Sequence, residues 1–105
     1  MSDPGAPRTR EDVVVATRPR TARPRRFKVV LLNDDYTTTD FVVHVLETVF
    51  HHSPAEAVQV MLKVHREGRG VAGVFPKDVA ETKVLKVHEM ARDRGYPLRA
   101  GIEEE

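Results

Sequence analysis

The segment FKVVLLNDDY, residues 27–36, decides how the rest of the chain is interpreted. Its first six residues are apolar apart from one lysine, and they predict a short buried strand over residues 27–32. The polar residues Asn33, Asp34 and Asp35 end this strand, because short polar side chains favour turns. Two adjacent carboxylates also repel each other and attract cations. The cluster is therefore either an ordinary turn or a receptor for an amine.

Helical periodicity predicts three helices beyond this turn. The first covers residues 40–50, where apolar side chains recur at i, i+1, i+4 and i+5. The second begins after Ser53, which starts a capping-box sequence, and ends before Gly68, which suits a left-handed stop. The third covers residues 77–93 and ends at Gly95.

Two more strands complete the predicted fold. Residues 71–75 form a second strand candidate, and residues 98–102 alternate between apolar and polar side chains. The order is therefore β-α-α-β-α-β, with helices and strands segregated rather than alternating. We expect an α+β domain, in which a three-stranded antiparallel sheet carries three helices.

Composition restricts the class of protein. The chain has 105 residues, of which 40% are hydrophobic, and this suits one small domain. Cysteine is absent, which removes disulfides, thiolate chemistry and sulfur-ligated metals and fits a reducing, cytoplasmic compartment. No apolar run exceeds four residues, so we expect neither a membrane span nor a secretory signal.

Charge divides the chain in two. Residues 1–26 hold seven Arg against three acidic residues and four of the seven prolines, whereas residues 27–105 carry a net charge of −3. The first segment cannot bury enough apolar surface to order itself, so we predict a disordered arm over 1–26 and a folded core over 27–105.

Nucleic-acid binding is the alternative function for this arm, since its positive residues could follow phosphates. These residues are Arg18, Arg20, Arg23, Arg25 and Arg26. The core is acidic, however, and no aromatic residue is interleaved with the arginines for base stacking. An organelle transit peptide is disfavoured by the acidic residues of the arm and by its scarcity of serine.

Enzymatic and metal-binding motifs are missing from the sequence. It contains no glycine-rich phosphate loop, no G-x-S-x-G and no H-E-x-x-H. Without cysteine, a zinc site needs several converging His or carboxylate ligands, and we expect neither metal nor cofactor. Four histidines are interpreted as ordinary surface residues, namely His44, His51, His52 and His88.

His65 differs from the other histidines. It follows Val58, Met61 and Leu62 at helical spacing, so it is predicted on the apolar stripe of the second helix. It is either a half-buried histidine satisfied by one hydrogen bond or an acceptor at the edge of an apolar hollow.

Taken together, these segments resemble the ClpS family, adaptors of the Clp protease that recognise N-degrons. The resemblance covers residues 27–103, with the motifs in the family's order and spacing. It rests on LNDDYT at 32–37, Phe41-Val42, Met61-Leu62 with Val64-His65, Gly73-Val74-Phe75, VAETKV at 79–84 and Pro97-Leu98.

The resemblance implies a ligand, the free α-amino group and bulky first side chain of a protein marked for degradation. The amine-binding positions fall on Asn33, Asp34, Asp35 and His65. The side-chain pocket falls on Thr37, Thr39, Val42, Met61, Val64 and Leu98. The positions that dock on the N-terminal domain of a Clp ATPase, of ClpA or ClpC type, fall on Asp78, Glu81 and Lys83. The arm takes part in handing over cargo.

This assignment describes a binding module rather than an enzyme. An ammonium group offers three donors, and an Asn oxygen, a carboxylate and a neutral imidazole can accept them. We expect a monomer that binds N-degron peptides and a Clp ATPase, without nucleic acid or membrane.

One position departs from the family's commonest pattern. Many similar proteins have Pro then Met where this chain has Thr38 then Thr39. The Met closes the pocket against branched side chains, so Thr39 predicts a wider pocket that admits Ile or Val. The alternative is that Thr39 is a helix cap directed away from the pocket.

Overall fold

The computed structural model describes residues 24–105, so the predicted disordered arm lies outside the described residues except for its last three. The elements are β1 (Phe27–Leu32), α1 (Thr39–Thr48), α2 (Pro54–Glu67), β2 (Arg69–Phe75), α3 (Lys77–Arg94) and β3 (Arg99–Glu104). Both β2 and β3 pair antiparallel with β1. The element order and this sheet confirm the predicted α+β fold.

The central strand β1 organises the core because the sheet order is β2-β1-β3. Val29 and Leu31 are fully buried against the helices. Val30 is also buried but lies on the opposite face, as strand alternation requires. Arg69 on β2 reaches Glu103 on β3 at 2.6 Å, and this ion pair passes over β1. Arg69 lies opposite Leu32 of β1, and Glu103 lies opposite Lys28. Val30 is midway between these two positions, so the ion pair covers its side chain.

The ends of α2 and α3 confirm the predicted caps Ser53, Gly68 and Gly95. Ser53 forms a complete capping box with Glu56, and Gly68 ends α2 with a φ of 89°. Gly95 ends α3 with a φ of 77°. Thr38 caps α1, its hydroxyl accepting a hydrogen bond from the Phe41 N–H at 3.1 Å. These motifs depend on neighbours three or four residues away, which sequence spacing reveals.

Some predicted boundaries were wrong. α1 ends at Thr48 rather than at residue 50, and β2 begins at Arg69 rather than at residue 71. The strand can begin directly after the Gly68 turn because Gly70 lets it pass close to α2. A Cβ on Gly70 would lie 2.8 Å from a methyl group of Val64.

The prediction of the apolar face of α2 was wrong by one residue. The buried residues are Ala57 and Val64, with Met61 partly buried beside them. Val58 is 41% exposed, and His65 is exposed rather than half-buried. One residue corresponds to about 100° around a helix, so this shift moves His65 from the core face to its rim.

Candidate functional site

The end of β1 and the end of α2 are fastened together by one backbone bond. The Asn33 N–H donates to the Gly68 carbonyl at 2.9 Å. Gly68 can offer this carbonyl because it adopts the left-handed conformation that ends α2. His65 lies on the last turn of the same helix, so the bond brings the turn after β1 next to that histidine.

Asp34 organises this turn. One of its carboxylate oxygens accepts the N–H groups of Tyr36 at 2.8 Å and of Thr37 at 2.7 Å. The other oxygen accepts the Thr37 hydroxyl at 2.7 Å. Desolvation is the largest single influence on the Asp34 pKa and raises it. The bonds from Thr37 and Tyr36 together outweigh it, so the pKa lies below its ordinary value.

A cavity of about 220 Å³ opens beside the turn. It brings together nine of the ten residues that were predicted for the amine and side-chain sites. Its lining consists of Asn33, Asp34, Asp35, Thr37, Thr39, Val42, Met61, Val64 and His65. Polar acceptors and apolar side chains therefore face one common space.

The two kinds of lining come from different elements. Val42 on α1 and Val64 on α2 are buried and form the apolar wall together with the partly buried Met61. Asp35 and His65 are exposed at the rim, where a charged ligand group can reach them. A ligand with a positive end and an apolar side chain matches this arrangement.

Thr39 lines this cavity and is exposed at its mouth. The cap of α1 is Thr38, so Thr39 is the first residue of the helix rather than its cap. This excludes the interpretation that Thr39 merely caps the helix.

Leu98 is the predicted pocket residue that the structure places elsewhere. It is 3% exposed and lines a separate hollow beside Tyr96 and Pro97 at the end of α3. It precedes β3 and packs into the core. Its position follows from how the chain enters the last strand, which sequence spacing does not reveal.

The predicted docking residues separate into two kinds. Asp78 and Glu81 are exposed on the first turns of α3. Lys83 is half-buried, and its ammonium group donates to the Val49 carbonyl at 2.7 Å. The same group lies 6.0 Å from the ring centre of Phe50 and 5.4 Å from that of Phe75. Lys83 therefore ties α3 to the end of α1.

A larger hollow of about 450 Å³, not predicted from the sequence, lies between the end of α1 and α3. Its lining includes Asp78, Val79, Thr82, Lys83 and Lys86. Two lysines against one carboxylate repel an ammonium group, so this hollow does not suit the ligand of the first cavity. Two of its lining residues, Asp78 and Lys83, are among the predicted docking positions.

Two histidines that were interpreted as ordinary surface residues bond to the edges of the sheet. His52 Nε2 lies 2.6 Å from the Ala72 carbonyl of β2, so it donates, and its buried Nδ1 has no partner among the described residues. His88 Nε2 accepts the Ala100 N–H of β3 at 3.0 Å. Burial, followed by the charges of Arg99 and Arg92, lowers the pKa of His88. The surface interpretation was wrong for both residues.

Within the described part of the chain, no group of three or more His, Asp or Glu residues could hold a metal ion. Nor does any helix in residues 24–105 have the length and apolar character needed to cross a membrane.

The last residues of the arm pair with the acidic end of β3. Arg25 lies 3.3 Å from Glu104, and Arg26 lies 3.5 Å from Glu105. The Glu105 N–H also donates to the Arg26 carbonyl at 2.9 Å. These two arginines are thus already next to carboxylates, which weakens the nucleic-acid interpretation at this end of the arm. Arg18, Arg20 and Arg23 lie outside the described residues.

Known proteins match this chain over most of its length. A family model described as "ATP-dependent Clp protease adaptor protein ClpS" matches residues 22–101. The ATP-dependent Clp protease adapter protein ClpS of Wolinella succinogenes is 57% identical over 95 residues, 90% of this chain and 87% of that protein. The protein of the same name from Ruegeria pomeroyi is 49% identical over 105 residues, 100% of this chain and 93% of that protein.

A solved structure supports the same assignment. The structure of Agrobacterium tumefaciens ClpS2 bound to L-phenylalaninamide matches with a TM-score of 0.76 and 42% identity, covering 79% of this chain and 100% of that one. The family model, the relatives and this neighbour agree with the predicted fold and with the resemblance to the ClpS family. The chain belongs to the ClpS family of ATP-dependent Clp protease adaptor proteins.

Proposed function

We propose that this adaptor binds the free N-terminal amine and the bulky hydrophobic first side chain of N-degron proteins and delivers them to the Clp ATPase and protease. The observation that carries the proposal is that amine acceptors and an apolar wall face each other across one cavity. L-phenylalaninamide, the ligand of the Agrobacterium ClpS2 structure, has the same two features, a free α-amino group and a bulky apolar side chain.

The amine end of the ligand meets three acceptors of different kinds. The Asn33 amide oxygen and the Asp35 carboxylate accept hydrogen bonds, and a neutral His65 imidazole offers one more lone pair. Asp35 also supplies the negative charge that favours an ammonium group over a neutral amine. Because Asp35 and His65 are exposed, water can bridge whichever contact is too long for a direct bond.

The side chain of the first residue enters between α1 and α2. Val42 and Val64 offer it an apolar surface that is already shielded from water, and Met61 adapts its shape to different ligands. Burying a large apolar side chain contributes about 1.5–3 kcal/mol. Binding energy of this size selects bulky hydrophobic first residues over small or polar ones.

Delivery requires a second surface, and the start of α3 offers one. The exposed acidic residues Asp78 and Glu81 lie there, next to the larger hollow that Lys83 and Lys86 line. We assign this surface to the N-terminal domain of a ClpA- or ClpC-like ATPase. The adaptor acts as a monomer in the cytoplasm, where ATP is available to the protease. It performs no catalytic step of its own.

A titration with matched peptides tests the ligand assignment. Peptides that begin with Phe and have a free amine are compared with the same peptides after N-acetylation. We expect acetylation to weaken binding at least about tenfold, because a lost charge-assisted bond costs about 1.5–3 kcal/mol. The loss should be much smaller in Asp35→Asn, and Glu89→Gln on the outer face of α3 provides the control. Equal affinity of the wild type for free and acetylated peptides would contradict the proposal.

A further inference from the structure

We infer that Asp34 is a positioning residue for amine recognition rather than a ligand of the amine. This inference rests on the proposed function, and it divides the work between two neighbouring carboxylates. Asp34 holds the turn in shape, and Asp35 presents its charge to the ligand.

The carboxylate of Asp34 is occupied by its own loop. A carboxylate offers about four lone-pair positions, and three here accept the Tyr36 N–H, the Thr37 N–H and the Thr37 hydroxyl at 2.7–2.8 Å. These distances are those of strong, charge-assisted bonds. An incoming ammonium group would have to compete with donors that the fold already holds in place. The lowered pKa of Asp34 agrees with a carboxylate that is satisfied within the protein.

The same bonds shape the amine site. The bonds from the Asp34 side chain to Tyr36 and Thr37 close the segment 34–37, which contains Asp35 and directly follows Asn33. Asn33 is also held from the other side, by its N–H bond to Gly68 at 2.9 Å. Asp35 takes no part in the three bonds and is exposed. The loop therefore has one carboxylate turned to its own N–H groups and one left for solvent or ligand.

The bonds also reach the pocket for the first side chain. Thr37 lines the cavity and is held through both its N–H and its hydroxyl. Loss of the Asp34 carboxylate would release this wall residue together with the amine acceptors. Its removal should thus weaken binding of the whole peptide and not only recognition of the charge.

Three variants separate positioning from direct contact. Asp34→Asn keeps an oxygen for the N–H groups of Tyr36 and Thr37 but has no charge. Asp34→Ala removes the turn bonds and the charge together. Asp35→Asn removes the charge from the neighbouring position and leaves the turn intact. Each is titrated with free and acetylated Phe-initiated peptides, and its melting temperature is measured to confirm folding.

We expect Asp34→Ala to weaken binding of the free peptide about tenfold, because the turn bonds are lost. Asp34→Asn keeps most of these bonds, so its affinity should lie within about threefold of the wild type. The ratio between free and acetylated peptides should persist in Asp34→Asn and collapse in Asp35→Asn. If Asp34→Asn binds as weakly as Asp34→Ala and loses the ratio, Asp34 contacts the amine. If both variants bind like the wild type, the turn needs no such support. Either result overturns the inference, whereas failure of the proposed function appears separately, as a wild type that ignores acetylation.

Discussion

We expect the side chain at position 39 to influence which first residues can enter the cavity. Thr39 is the first residue of α1 and lines this cavity, and its side chain is short. A β-branched ligand residue carries its extra bulk next to the amine, close to the exposed acceptors. A short side chain at position 39 leaves room for that bulk, and a long one takes the room away.

We predict that Thr39→Met lowers affinity for Ile- and Val-initiated peptides and leaves Leu and Phe nearly unchanged. The expected loss for Ile and Val is about tenfold, the lower end of what a methyl-sized difference in an apolar pocket produces. Titration of both proteins with four peptides that differ at the first residue checks this. Thr48→Met adds the same side chain at the other end of α1 as a control. Ile and Val affinities that do not respond to Thr39→Met would show that Thr39 is no gate.

At the scale of the elements, the first half of α3 carries both a charged residue bonded to a neighbouring element and charged residues exposed to solvent. Lys83 is half-buried. Its ammonium group bonds to the Val49 carbonyl at the end of α1 and lies near the rings of Phe50 and Phe75. Asp78 and Glu81 are exposed to solvent on the first turns of the helix. A charge reversal at Lys83 would strand the Val49 carbonyl and break this link between helices. Its effect on docking could not be distinguished from an effect on the fold.

We therefore predict the docking effect for the two acidic residues alone. Asp78→Lys combined with Glu81→Lys should abolish capture of the Clp ATPase N-terminal domain and keep peptide affinity within about twofold, because rim charges act mainly on association with the partner. Some stability is lost, about 0.3–1 kcal/mol, since a positive charge at a helix start opposes the helix dipole. Asp93→Lys in the last turn of the same helix is the control. Undiminished capture by the double variant would mean that the ATPase docks elsewhere.

For the whole molecule, each of the two outer strands makes one hydrogen bond to a histidine outside the sheet, in addition to its pairing with β1. His52 donates to the outer strand β2, and His88 accepts from the outer strand β3. Such bonds satisfy backbone groups that sheet pairing with β1 leaves over, and they join β2 to the loop between α1 and α2, and β3 to α3. The bond of His88 requires a neutral ring, because a protonated imidazole has no acceptor.

We predict that the fold loses stability as the pH falls, through His88. Its pKa is lowered in the folded protein, first by burial and then by Arg99 and Arg92, whereas an unfolded histidine titrates near about 6.5. Between those values the unfolded chain binds more protons, so the stabilisation is complete above about pH 6.5 and is lost as the pH falls through the folded value. Urea unfolding across this range measures it. His88→Gln should flatten the profile and His51→Gln should not; an equal slope in wild type and His88→Gln would refute this role.

The sequence by itself determined the elements and their order. Caps such as Ser53 and Gly68 act over three or four residues, so their spacing is visible in the chain. The acceptors and pocket residues were assigned through the resemblance, and nine of those ten positions do line one cavity.

Only the tertiary structure decided the partners of individual polar groups. It placed His65 at the rim of the cavity and Leu98 in another hollow. It also decided that Lys83 bonds to the carbonyl at the end of α1 and that His88 bonds to the backbone of β3. The physical reason is distance along the chain. Periodicity records which side of an element faces the core, but a hydrogen bond between elements depends on how they pack, and a rotation of one residue changes the partner.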